Sequence, residues 1–178
     1  DNNRSRGLGD VYKRQVWLKR RTPQNIVIGG AAGALPPVIG WTIVTGNLSL
    51  EAISFFLIIF FWTPSHFWAL SLYKAEDYRL AKIPMLPVIS GVQNTKINIL
   101  IYSLIMLPVL YLPYHIGFVG NFFAIFCLPL TIYYNYICFD LYKDEKHKFN
   151  ILKAKKVFSY SIIYLFAIFV LFLVDNFV

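Results

Sequence analysis

Five long apolar stretches alternate with polar connections along this 178-residue chain. A helix needs about 20 mostly apolar residues to cross the hydrocarbon core of a bilayer. None of the five stretches contains Lys or Arg, and none alternates between apolar and polar residues as a half-buried strand does. The pattern predicts five transmembrane helices, at approximately Asn25–Gly46, Leu50–Tyr73, Ile97–Tyr114, Gly117–Phe139 and Val157–Val174.

The positions of the basic residues predict the orientation of these helices. All 17 Lys and Arg residues lie in three segments: before the first span, between the second and third, and between the fourth and fifth. Because Lys and Arg accumulate on the cytoplasmic side of membrane proteins, these three segments are predicted to be cytoplasmic. The net charge of +8 is then a sign of topology, so no nucleic-acid partner is expected.

The composition agrees with an all-α integral membrane protein, since 57% of the residues are hydrophobic and only 15% are charged. Cys127 and Cys138 show no disulfide or metal-ligand spacing and are expected to be packing residues. In the first span, several glycines allow a close approach of helices. Pro36 and Pro37 should kink or break that span.

Three polar clusters could carry chemistry, and the first precedes and enters the first span. It contains Lys19, Arg20, Arg21, Gln24 and Asn25. A basic cluster at this position is often only a topology anchor. The alternative is a phosphate-binding cluster, because Arg offers a bidentate fork and Lys a point charge to phosphate oxygens.

The second cluster lies in the connection after the second span. Glu76 and Asp77 form an acidic pair among cations, followed by Tyr78 and Lys82. The segment could be an ordinary solvated loop, but its aromatic, apolar and proline residues suggest order against the bundle. One or two carboxylates together with substrate phosphates can hold Mg²⁺.

The third cluster lies inside the second span, around His66. An ionisable residue within a membrane helix is a candidate functional residue, although a hydrogen-bonded contact between helices is an equal alternative. Trp62, His66, Ala69 and Tyr73 are spaced so that they share one helix face, which leads towards Asp77.

Three segments, Leu18–Trp41, Phe60–Val88 and Phe158–Asp175, resemble the protohaem IX farnesyltransferase (haem O synthase) family of the UbiA-type intramembrane prenyltransferase superfamily. The resemblance runs from about Val16 to the end. It implies a nine-helix bundle whose last five helices are present here, with a cavity that opens to the cytoplasm and two acidic loops around Mg²⁺ and diphosphate.

The chain departs from the family pattern in four respects. The first acidic loop has no counterpart, so we expect a C-terminal fragment that lacks the N-terminal helices and is inactive by itself. Ala81 follows Asp77 where the superfamily often has a second aspartate, and Ser65 stands where the haem branch more often has a second proline. Asp1–Gln15 has no periodicity and is expected to be an extraneous junction.

The resemblance implies transfer of a farnesyl group from farnesyl diphosphate to a vinyl group of haem b, which gives haem O for haem–copper oxidase assembly. The implied cofactor is Mg²⁺, held by Asp77 and Glu76, and the implied catalytic residues are Asp77 and His66. Expected partners are the lipid bilayer and a haem A synthase or oxidase assembly proteins, in the bacterial cytoplasmic membrane. The implied substrate-binding residues are Lys19, Arg20, Arg21, Gln24, Asn25, Trp62, Phe67, Tyr73, Tyr78 and Lys82.

Two other functions are compatible with the same residues. One is a prenyltransferase of the same superfamily that acts on a quinone precursor or a chlorophyll ring. The other is a transporter or a structural membrane subunit, because transporters also contain broken helices and ionisable residues near the middle of the bilayer.

Overall fold

The computed structural model describes residues 25–81, 83–144 and 150–177, and these residues form helices joined by short connections, without a strand among them. The helices are α1 (Asn25–Gly33), α2 (Leu35–Thr45), α3 (Leu50–Tyr73), α4 (Ala75–Leu80), α5 (Leu86–Ile89), α6 (Gly91–His115), α7 (Asn121–Lys143) and α8 (Ile151–Asp175).

The five predicted spans are confirmed: α1 with α2, and then α3, α6, α7 and α8, are long and apolar enough to cross a membrane. The sequence misplaced several ends, since α6 and α8 each begin six residues before their predicted starts at Ile97 and Val157. The predicted spans excluded the Lys and Arg residues next to them, whereas helical hydrogen bonds continue into the polar zone. Lys96, Lys143 and Lys153 therefore lie within helices.

The first span is broken where its prolines predicted a break. Helix α1 ends at Gly33 and α2 begins at Leu35, with Ala34 between them. The Ala34 N–H still bonds back to the carbonyl of Gly30 at 2.9 Å. Pro36 and Pro37 have no N–H to donate to the preceding turn, so a continuous hydrogen-bond ladder is impossible here.

Four helices form a closed ring in the order α3, α6, α7, α8, and each packs on its two neighbours. The centre of the ring is filled by aromatic and polar side chains. Tyr134 on α7 and Tyr164 on α8 are fully buried, and their rings stack with centroids 4.7 Å apart. The hydroxyl groups of Ser65 and Tyr134 share a hydrogen bond of 2.7 Å that crosses the ring from α3 to α7.

Helices α1 and α2 pack outside this ring, against α3. Gly30 gives the closest approach, because a Cβ there would lie 3.1 Å from Cγ2 of Thr63. The expected role of small residues is thus confirmed at Gly30. At Gly29, Gly33 and Gly40 an added Cβ would meet no other described atom within 4 Å.

Charged side chains join the basic ends of α6, α7 and α8. The fully buried Lys96 donates from Nζ to the carbonyl of Asp144 at 3.0 Å. Lys153 pairs with Asp140 at 2.9 Å and lies 3.7 Å from the carboxylate of Asp144. At the opposite end, the Asp175 carboxylate accepts hydrogen bonds from the Gly120 and Phe123 N–H groups at 2.6 and 2.9 Å. Both ends of the α7–α8 pair are therefore fixed.

Candidate functional site

The acidic pair lies at the basic end of α3, on the short helix α4. Lys74 separates the two helices, so Glu76 and Asp77 fall in the first turn of α4, where negative charge opposes the helix dipole favourably. Both carboxylate side chains are 65% exposed. Asp77 pairs with Lys74 at 3.0 Å and Glu76 with Arg79 at 2.6 Å.

These ion pairs leave the carboxylates accessible to a ligand. Asp77 raises the pKa of Lys74 through its hydrogen bond and its charge. All four partners are more than half exposed, and exposed ion pairs are readily exchanged for other partners because water screens them. Within the described residues no three His, Cys, Asp or Glu side chains form a metal-binding group. Two carboxylates are too few for a complete protein site, so they would hold Mg²⁺ only together with oxygens from another molecule, such as phosphates.

The segment after the acidic pair is ordered against the bundle, as its apolar residues suggested. The Ile83 N–H donates to the Tyr78 carbonyl at 3.0 Å, and Met85 and Leu86 are buried in the core. Tyr78 itself is half-buried, and this burial raises the pKa of its phenol. The two carboxylates are thus attached to a packed segment.

His66 is held between two aromatic rings near the middle of α3. Its ring stacks on Trp62 at 4.3 Å and on Phe158 at 4.6 Å, and only 7% of the residue is exposed. Its Nδ1 lies 2.6 Å from Oγ of Ser161 on α8. The contact between helices that the sequence left as an alternative is present.

The predicted face of α3 is confirmed, and it packs on α8. Trp62 donates from Nε1 to the Ser161 carbonyl at 2.9 Å. Tyr73 meets the edge of Phe158 at 5.7 Å. Neither Ser161 nor Phe158 was singled out from the sequence. The signal that could have identified Ser161 is that it is a polar residue inside an apolar span.

Phe67 lies to one side of this face. Its ring meets the edge of His66 at 5.1 Å, and it is 42% exposed. It is therefore available to a ligand on the outside of the ring of helices, whereas one face of Trp62 is already covered by His66.

Asn25 is the one member of the first polar cluster that lies within the described residues. Asn25 is buried at the start of α1. The remaining predicted phosphate contacts, Lys19, Arg20, Arg21 and Gln24, together with Lys82, lie outside the described residues.

Two apolar grooves lie on other parts of the surface. One, of about 420 Å³, runs between α7 and α8, and the other, of about 270 Å³, runs between α6 and α7. Neither is lined by Asp77 or His66. The acidic pair and His66 are thus related through α3, and neither groove connects them.

The fold and these side chains define an integral membrane protein with an acidic segment at one end of a helix and a buried imidazole along it. The UbiA prenyltransferase family model matches residues 8–163. The chain belongs to the UbiA prenyltransferase family.

This chain is similar to bacterial proteins named protoheme IX farnesyltransferase. It is 68% identical over 166 residues to a protoheme IX farnesyltransferase of Pelagibacter ubique, covering 93% of this chain and 55% of that protein. Proteins of the same name from Parvibaculum lavamentivorans and Bartonella henselae are each 50% identical, covering 90% and 92% of this chain and 51% and 52% of theirs. The chain thus spans about half the length of these relatives. No solved structure matches it significantly.

Proposed function

We propose that this protein transfers a farnesyl group from farnesyl diphosphate to a vinyl group of haem b, which yields haem O. The observation that carries the proposal is the 68% identity, over 93% of the chain, to a protein named protoheme IX farnesyltransferase. The exposed carboxylate pair on α4 and the buried imidazole on α3 supply groups that this chemistry needs.

The reaction requires the allylic C–O bond of farnesyl diphosphate to break as a C–C bond to the vinyl group forms. Water then adds to the second vinyl carbon and loses a proton. Two groups must be handled, a highly charged leaving diphosphate and a reactive carbocation, and different parts of the chain are suited to each.

The acidic pair on α4 is suited to the diphosphate. Asp77 and Glu76 would hold Mg²⁺, and the metal supplies positive charge to the leaving group when it is bound. Lys74 and Arg79, which are paired with these carboxylates, would be released to the phosphate oxygens as the metal takes their place. We assign Lys19, Arg20 and Arg21 as further cationic contacts because guanidinium and ammonium groups bind phosphate.

The aromatic side chains of α3 are suited to the carbocation and to haem b. Aromatic faces attract cations, and the exposed ring of Phe67 and the half-buried rings of Trp62 and Tyr73 lie along one length of helix. Seven residues, or about 10 Å of helix, separate His66 from Tyr73. We assign His66 to haem b, whose iron an imidazole nitrogen can bind.

The substrate assignment is tested with the full-length enzyme, purified in lipid. Haem b and 4-hydroxybenzoate are offered separately with farnesyl diphosphate and Mg²⁺, and products are separated by chromatography and weighed by mass spectrometry. Haem O from haem b alone supports the proposal. Prenylated hydroxybenzoate alone would identify a quinone-pathway enzyme instead. Failure to bind a farnesyl diphosphate analogue would favour a transporter or structural subunit.

For the cellular location, we propose the bacterial cytoplasmic membrane, with the acidic segment on the cytoplasmic side. The support is the restriction of all Lys and Arg to alternate connections and the ends next to them. Farnesyl diphosphate is charged and water-soluble at its head, so a site at the cytoplasmic ends of the helices can take it directly from the cytosol.

A further inference from the structure

The hydroxyl group of Ser161 has two neighbours and one hydrogen. Its Oγ lies 2.6 Å from the carbonyl oxygen of Phe158 and 2.6 Å from Nδ1 of His66. A carbonyl oxygen can only accept a hydrogen bond, so we assign the Ser161 hydrogen to the bond with Phe158. With that assignment the bond to His66 runs the other way, with Nδ1 as the donor.

This pattern assigns the tautomer of His66. When Nδ1 of a neutral imidazole carries the hydrogen, Nε2 carries an unshared electron pair. No hydrogen bond to Nε2 is found within the described residues. In this arrangement His66 donates to Ser161, and Ser161 donates to the carbonyl of Phe158. Nε2 of His66 is therefore left to accept a hydrogen bond or to bind a metal.

We propose that Ser161 is a positioning residue that holds His66 with Nε2 free to bind the iron of haem b. The inference rests on the proposed function, in which haem b is the substrate. Ser161 does not contact the substrate in this proposal, and it acts through the imidazole of His66. Histidines that bind metals commonly donate their second N–H to a nearby oxygen, which fixes both tautomer and ring orientation.

The surroundings of Ser161 restrict the imidazole further. Ser161 is fully buried, and its own carbonyl accepts the Trp62 indole N–H at 2.9 Å. Trp62 and Phe158 cover the two faces of the His66 ring. The ring plane is thus set by stacking and its rotation by the Ser161 bond, which leaves the Nε2 edge as the reactive position.

The tautomer is measured directly by ¹⁵N NMR of protein labelled at histidine. The chain has three histidines, so His66 is identified by the signal that Gln replacement removes. Wild-type protein should show a protonated Nδ1 and an unprotonated Nε2. In Ser161→Ala the ring loses its acceptor, so the two tautomers should mix. A protonated Nε2 in wild-type protein, or an unchanged tautomer in Ser161→Ala, overturns the inference whatever the substrate is.

The consequence for ligand binding is measured by titrating the protein with haem b and recording its absorption spectrum. Loss of an orienting partner typically weakens metal binding tenfold or more, so Ser161→Ala should raise the Kd for haem b by roughly tenfold. Ser71→Ala is the matched control, because Ser71 is a fully buried serine of α3 whose hydroxyl donates to the Trp68 carbonyl. It should leave the spectrum and Kd unchanged.

A double-mutant cycle separates positioning from general packing. Once His66 is replaced by Ala, the further change Ser161→Ala should not weaken haem binding again, since its effect passes through the imidazole. Additive losses would overturn the positioning role. If His66→Ala alone leaves the haem spectrum unchanged, the assignment of His66 to haem b is wrong while the tautomer result still stands.

Discussion

Lys96 on α6 is completely buried and donates a hydrogen bond of 3.0 Å to the backbone carbonyl of Asp144, just beyond the last turn of α7. A cation here opposes the negative end of the α7 dipole. Lys153 approaches the same aspartate from α8. Lys96 and Lys153 thus connect three helices near Asp144. The positive-inside rule interprets these two lysines only as signals of membrane topology.

Replacement of Lys96 by Met should destabilise the bundle by about 1–3 kcal/mol, the usual loss for a buried hydrogen bond from a charged group. Thermal unfolding in detergent, followed by intrinsic fluorescence, measures the change. The exposed Lys155 provides the control, since Lys155→Met should alter stability by less than about 0.5 kcal/mol. Equal effects of the two substitutions would show that the buried contact contributes nothing of its own.

Gly30→Leu should weaken the packing of α1 on α3. A Cβ at Gly30 would lie only 3.1 Å from Thr63, and such overpacking costs about 1–3 kcal/mol. The comparison is with Gly29→Leu, where a Cβ meets no described atom and the gain in helix propensity is the same. Unfolding temperatures of the two variants should differ, with Gly30→Leu lower; coincident temperatures would contradict the close approach.

Asp175→Ala should loosen the start of α7. The carboxylate bonds two backbone N–H groups there, and loss of a helix cap costs about 1 kcal/mol. Hydrogen exchange should accelerate at Phe123 and its neighbours while the last turn of α7 stays protected. Asn176→Ala serves as control, because that side chain bonds only within α8, to Phe172. Unaltered exchange in Asp175→Ala would refute the capping role.

Asp77→Ala should reduce haem O formation by at least about 100-fold, as removal of a group that stabilises transition-state charge commonly does. The measurement is the initial rate of the full-length enzyme with haem b and farnesyl diphosphate at saturating Mg²⁺, using a variant whose insertion and unfolding temperature are unchanged. Asp140→Asn removes a carboxylate on the same side of the bundle and should keep most of the activity. Near-normal turnover in Asp77→Ala would take this residue out of the site.

Arg20→Ala should raise the KM for farnesyl diphosphate by roughly tenfold or more, the value of a lost charge-assisted hydrogen bond, with the KM for haem b little changed. Arg20 lies outside the described residues, so its side of the membrane is tested separately with single cysteines at positions 20 and 77 and an impermeant reagent. Labelling from opposite sides would rule out a shared diphosphate site. An unchanged KM would leave Arg20 as a topology anchor.

The five membrane-spanning segments could be predicted from the sequence because lipid imposes a simple rule: a span must be apolar over the thickness of the bilayer. The same rule failed at the helix ends. Hydrogen bonding continues after the apolar window stops, so α6 reaches back to Gly91 and includes Lys96. The break near Ala34 was predictable because Pro36 and Pro37 lack the N–H groups that a continuous helix needs.

The candidate site was only partly predictable. Helical periodicity placed Trp62, His66 and Tyr73 on one face, and the structure confirms that face. The partner of His66 could not be predicted, since Ser161 is 95 residues away and its contact depends on how α3 and α8 are aligned against each other. Ser65 is a similar case, because its hydroxyl group shares a hydrogen bond with that of Tyr134 across the ring.

The stacked pair of Tyr134 and Tyr164 limits where a large planar ligand can bind. These two side chains fill the centre of the ring of helices. A planar molecule as wide as a porphyrin therefore cannot pass between α3, α6, α7 and α8. Among the described residues, a ligand of that size would instead meet these four helices on their outer surface, where Phe67 is exposed.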